Sequence, residues 1–217
     1  MMTNLFSVFD PTTGILSLNW TSMFTIMLMP NPFWNTPSKL LLMIINLMKK
    51  LMKEIIMHTN KIEPTIMFVS MFLFILFNNI FGLLPYVFTS TAHLVVSLSM
   101  AMSLWLSLMI FGWLNKTNHM FTHLVPVGTP TPLMPFMVLI ESISNLIRPG
   151  SLAVRLSANM IAGHILMSLL GNNLIQNSIM LTLMMWLFMG LMMFETAVAF
   201  IQSYVFMTLS TLYSSEI

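Results

Sequence analysis

The sequence predicts an all-α, polytopic membrane protein, and three observations predict it. Of the 217 residues, 57% are hydrophobic and only 6% are charged, against roughly 25% charged in an average soluble chain. Mean hydropathy is +0.89. The charges are also gathered into clusters: none falls within 11–38, 64–115, 117–140 or 156–194. Each of those gaps reaches the ~20 apolar residues that cross a bilayer as a helix. Eight basic and six acidic residues cannot clothe a soluble domain of this length. A soluble enzyme, a nucleic-acid binder and a disulfide scaffold are thereby excluded, the last also because the chain has no cysteine.

The expected architecture is a single membrane domain over 1–217. It has about five membrane-embedded helices, one interfacial amphipathic helix, and a long, strongly inclined C-terminal helix pair. The first span is expected over 11–29, stopped by Pro30 and Pro32, which cannot continue a helix. Over 37–61 the residues Asn46, Lys49, Lys50, Lys53, Glu54, His58 and Lys61 make one polar stripe, and Leu40, Ile44, Leu47, Leu51 and Ile55 lie opposite. A basic face backed by an apolar face suits a helix lying in the membrane interface. Two spans follow, over 64–86 and 92–114. The first is closed by Gly82 and Pro85 and carries Asn78 and Asn79 near its end. The second carries Ser97, Ser99, Ser103 and Ser107. Two readings of those serines stand side by side: small residues for close helix packing, or hydroxyls bonding back to their own helix.

A Pro- and Gly-containing loop over 115–132 leads into two long segments, 133–170 and 176–213, joined by the turn Gly171–Asn172–Asn173. Helices of that length extend ~57 Å, nearly twice the ~30 Å hydrocarbon thickness. Such helices either break, with Pro149 the natural place, or lie strongly inclined. The lysines set orientation. Lys39, Lys49, Lys50, Lys53, Lys61 and Lys116 all fall in 30–63 and 115–132, and none falls near 87–91 or 171–175. The lysine side is therefore expected to face the compartment of synthesis, and the N-terminus the opposite one. No Lys or Arg lies in the first fourteen residues, so no cleavable targeting peptide is expected.

Ionisable groups at bilayer depth cost about 2.5–3.5 kcal/mol each on insertion scales and mark function by default. Five qualify: Glu141, Arg148, Arg155, His164 and Glu195. Glu141, Arg148 and Arg155 are spaced by seven and share one helix stripe, with Asn159 near it. His164 falls about half a turn away, toward the last segment or another neighbour. Glu195 and Gln202 are likewise seven apart. Glu141 and Arg148 can form a structural pair, or Arg148 can reach to an interface. His119 and His123 have metal-ligand spacing but no third ligand in their loop, so no metal site is expected. His93 reads as interfacial. No nucleophile constellation, phosphate loop or haem-ligating pair is present, and no cofactor is expected. Buried acid, base and guanidinium point instead to ion movement: carboxylate and imidazole exchange protons, while a guanidinium stays charged.

The run Leu152-Ala-Val-Arg-Leu-Ser-Ala-Asn-Met-Ile-Ala-Gly-His164 resembles the signature of subunit a of the F-type ATP synthase in its mitochondrial form. Glu195-Thr-Ala-Val-Ala-Phe-Ile-Gln202 is similar to that family's last helix, and Ile140-Glu-Ser-Ile-Ser-Asn-Leu-Ile-Arg-Pro149 also looks like it. Bacterial relatives usually carry a carboxylate where His164 stands and a histidine where Glu195 stands, which suggests that the two work as a pair. The methionine content, 26 residues, resembles that of an invertebrate mitochondrial gene.

The resemblance implies a stator subunit of the mitochondrial inner membrane, lying against a rotating ring of c subunits. Its further partners would be the peripheral stalk, other membrane subunits of the complex and the lipid bilayer. It would carry protons through two offset half-channels and hold no nucleotide site. Arg155 would face the ring carboxylate and separate the half-channels. His164 and Glu195 would line the intermembrane-space half-channel, Asn159 and Gln202 would neighbour the arginine, and Glu141 would serve the matrix half-channel. The lysine side would then be the matrix. The competing reading is a proton- or quinone-linked membrane subunit of a respiratory oxidoreductase. A self-contained transporter is a third, weakened because no internal repeat is visible.

Overall fold

The computed structural model describes residues 5–14, 17–28, 36–59, 63–125, 130–173 and 178–216. Among them there is no strand, as expected where backbone groups must be satisfied within each segment. Six α-helices follow in order: α1 (Lys39–Thr59), α2 (Glu63–Gly82), α3 (Leu94–Asn115), α4 (Thr117–Leu124), α5 (Met134–Asn173) and α6 (Ser178–Glu216). Short 3-10 helices cover Leu5–Phe9, Leu18–Leu28, Ser90–Ala92 and Thr131–Leu133.

Helix α1 starts where Ser38 can cap it, its hydroxyl accepting the Leu41 amide at 3.4 Å. It is the amphipathic segment. Its Ile55 is buried while Leu40, Met43 and Leu47 stay exposed, so only part of its apolar side is used by the rest of the chain. Helix α2 ends in a tight turn at Tyr86, whose φ is 69°. In α3 all four serines bond back to the carbonyl three residues earlier: Ser97 to Leu94, Ser99 to Val96, Ser103 to Met100 and Ser107 to Leu104. Ser97 alone among the four is buried, so back-bonding, not helix packing, accounts for the other three. The core forms where Phe68, Val69 and Ile75 of α2 meet Ala101 and Leu104 of α3, Leu152, Ala153 and Leu156 of α5, and Phe206 and Met207 of α6.

Three expectations change. Helix α5 runs unbroken for 40 residues through Pro149, and α6 for 39, so the break is not the answer to their length. Pro149 removes one backbone bond, a loss that a helix buried among neighbours tolerates. Gly171, Asn172 and Asn173 are the last residues of α5, not a turn, and the connection itself lies outside the described residues. The 115–132 loop contains the two-turn helix α4. Four helices among the described residues are long and apolar enough to span. Within the 11–29 segment, Leu18–Leu28 is a 3-10 helix. Its Trp20 ring packs against Phe88 and His93, at 5.6 and 5.2 Å, which ties it to the α2–α3 connection.

Candidate functional site

Three contacts set α5 against α6. The Arg148 guanidinium lies 5.1 Å from the Tyr213 ring centroid. The Asn159 amide Nδ2 donates to Gln202 Oε1 at 2.9 Å. The Glu195 carboxylate occupies the space where a Cβ on Gly163 would stand. As the α5 partner advances along the chain, the α6 partner recedes, so the two helices run antiparallel. The five ionisable groups expected at bilayer depth, Glu141, Arg148, Arg155, His164 and Glu195, all lie on this pair.

Arg155 sits near the middle. Its side chain is exposed and makes no ion pair or hydrogen bond among the described residues. Ser151, Ala158 and Ala162 share its exposed face, at the three- and four-residue steps that keep them beside it. The guanidinium therefore stands on a strip of small side chains, pointing away from the rest of the chain. Asn159, one turn on, is turned enough toward α6 to bond Gln202, which is 7% exposed.

Toward one end of the pair lie His164, ~13.5 Å along α5 from Arg155, and Glu195. Glu195 is 5% exposed, and its carboxylate is accommodated because position 163 is glycine. No hydrogen bond or ion pair joins His164 to Glu195 among the described residues. His164 instead meets the N-terminal segment: the Phe9 ring stands edge-on to its imidazole at 6.0 Å. Phe9 is held in turn by His93, whose Nε2 lies 3.1 Å from the Phe9 carbonyl. His93 is thus a half-buried tether, not simply an interfacial side chain.

His164 Nε2 is buried without a hydrogen-bond partner among the described residues, and so are the Asn79 amide and the Thr89 and Thr91 hydroxyls. These groups lie along one seam. Gly82 of α2 has Thr89 and Met160 against it; Asn79 is one turn before Gly82, and His164 one turn after Met160. An unsatisfied buried polar group costs about 1–3 kcal/mol. Asn79, Thr89, Thr91 and Gly163 were not candidates from the sequence. Their proximity depends on the α2–α3 connection folding back onto α5, for which the sequence carries no local signal.

Toward the other end, Glu141 and Arg148 form an ion pair at 3.8 Å, each about a third exposed. They line a cavity of about 280 Å³ together with His123, Ser142, Asn145 and Tyr213. Trp105, Leu108, Met109 and Trp113 of α3 form its apolar wall. His119 and His123 have ring centroids 5.3 Å apart, and no group of three metal ligands gathers among the described residues.

The chain is thus a polytopic helical membrane protein with an exposed cation midway between two polar regions, at opposite ends of one helix pair. A family model described as ATP synthase A chain matches residues 7–215. The chain is 55% identical to ATP synthase subunit a of Anopheles quadrimaculatus, 53% to that of Locusta migratoria and 54% to that of Drosophila melanogaster, over the whole of both chains each time. It belongs to the ATP synthase A chain family.

Proposed function

We propose that the chain is the stator subunit of the ATP synthase membrane sector and leads protons to and from a ring of c subunits through two offset half-channels. It makes no nucleotide chemistry of its own, and it works in the mitochondrial inner membrane with its lysine side toward the matrix. The observation that carries this reading is Arg155, exposed and unpaired among the described residues, on a face of Ser151, Ala158 and Ala162. A permanent cation is costly at that depth. A carboxylate on a partner's helix offsets the cost, and small side chains let that helix come close.

The roles follow from position. The seam at His164 and Glu195, with the polar atoms of Asn79, Thr89 and Thr91, serves the half-channel on the side without lysines. The cavity at Glu141 serves the lysine side. Arg155 lies between them and neither releases its proton nor accepts another, so it keeps protons from slipping straight across. The bond between Asn159 and Gln202 closes the helix pair beside it. The peripheral stalk and other membrane subunits cover the remaining apolar surface.

Isolation in mild detergent tests the reading. An affinity handle on this chain should bring down a multi-copy ring of small proteolipid subunits and ATP hydrolysis activity. Recovery of the chain without such a ring would contradict the reading.

A further inference from the structure

The cavity at Glu141 has a second titratable base, His123, supplied by the two-turn helix α4. His123 is exposed at its outer side, while Glu141 is half-buried and paired with Arg148. The cavity's about 280 Å³ has room for several waters, and Ser142, Asn145 and Tyr213 offer them hydrogen bonds. The charged and titratable groups facing His123 are Glu141, Arg148 and Tyr213 across the cavity and His119 on its own helix. Its α4 position puts it in the lysine-bearing connection, after Lys116.

We infer that His123 is a proton-exchange station at the mouth of this cavity, passing protons between bulk water on the lysine side and Glu141. The inference rests on the proposed reading of Glu141 as a half-channel residue. Imidazole is the one side chain that ordinarily changes charge between pH 5 and 8. It can take a proton from bulk on one nitrogen and give one to cavity water from the other, which swaps its tautomer; a ring flip or proton exchange with water then resets it for the next passage. A carboxylate tied to a guanidinium exchanges with bulk more slowly when free protons are scarce. A base exposed to both water and cavity removes that limit. The His119–His123 spacing then reflects two imidazoles on one face of α4, not a metal site.

The test uses inverted vesicles holding the assembled complex, in which ATP hydrolysis takes up protons from the lysine side. In weakly buffered medium, His123→Gln should lower the initial pumping rate on the order of threefold or more. Imidazole added to the medium as a mobile base should restore most of the difference. A structural defect would not respond to imidazole. A wild-type rate for His123→Gln in weak buffer, or a loss that imidazole does not repair, would overturn the inference. Failure of the underlying reading is distinguishable, because it would appear as pumping that survives Glu141→Gln whatever residue stands at 123.

Discussion

The carboxylate of Glu195 on α6 fills the place that a side chain on residue 163 of α5 would take, and residue 163 is glycine. Glu195 is thereby held one residue from His164 although the two form no direct bond. Since the overlapping atoms are the far end of a flexible side chain, Gly163→Ala should push the carboxylate aside without blocking folding. The complex should assemble to near-normal levels while proton flux falls on the order of tenfold, as expected for a displaced transfer group. Normal flux in membranes holding the assembled variant would show that the position of Glu195 is immaterial.

Glu195 lies against Gly163, the residue before His164, and no direct bond joins it to His164 among the described residues, so a proton path shared by the two runs through an intervening group such as water. Each single replacement by a non-titrating residue should slow flux, and the double replacement should cost little more than either. The expected coupling is about 0.5–3 kcal/mol. Exchanging the pair, His164→Glu with Glu195→His, should recover more flux than either exchange alone. Strictly additive losses measured in vesicles would mean that the two act separately.

A side-chain hydrogen bond from Asn159 to Gln202 joins α5 to α6. Gln202→Leu leaves the Asn159 amide short of a partner at a half-buried site, which costs about 1–3 kcal/mol. Asn159→Leu with Gln202→Leu should be less destabilising than Gln202→Leu alone, because no orphan remains. Thermal dissociation of the detergent-solubilised complex reads the difference.

Sidedness can be checked with thiols, since the chain has no cysteine of its own. Two spanning helices, α2 and α3, separate α1 from the connection after Lys116, so these two regions share a side whatever the 11–29 segment does. Lys53→Cys and Lys116→Cys in sealed membranes should react with an impermeant reagent from one face, and Asn172→Cys from the other. Reaction of Lys53→Cys and Asn172→Cys from the same face would break the topology.

Much of this was legible in the sequence, for reasons that particular residues make plain. The charge-free stretch 64–115, which takes in α3 and nearly all of α2, and the parts of α5 and α6 between 156 and 194 show spans because the bilayer penalises each charge individually. The seven-residue spacing puts Glu141 and Arg148 on one face, where the structure pairs them; Asn159 and Gln202, singled out on separate segments, are joined by a hydrogen bond that no spacing showed. Over 11–29, apolar composition alone does not show that the helix formed at Leu18–Leu28 is of the 3-10 type. The Gly163 and Thr89 contacts were invisible for another reason. Glu195 meets Gly163, and Met160 meets Gly82, across segments far apart in the chain, and a glycine or threonine in an apolar run carries no mark of what packs on it. His164 shows the boundary between the two: its chemistry was readable, but its neighbour Phe9 was not.

Arg148 and Arg155, identical in type and seven residues apart, should differ sharply. Arg148 has Glu141 and the Tyr213 ring beside it, so Arg148→Ala should lower activity only several-fold, through local packing. In Arg155→Lys the charge is kept on a group that is more strongly hydrated and able to deprotonate when buried. That variant should assemble but lose coupled synthesis.

The most direct measurement is ATP synthesis and passive proton flux, made together in vesicles containing assembled Arg155→Ala complex. Removing the cation should abolish synthesis and open a leak between the two half-channels, since nothing of fixed charge then separates them. Near-normal coupled synthesis with Arg155→Ala would contradict the account at its centre.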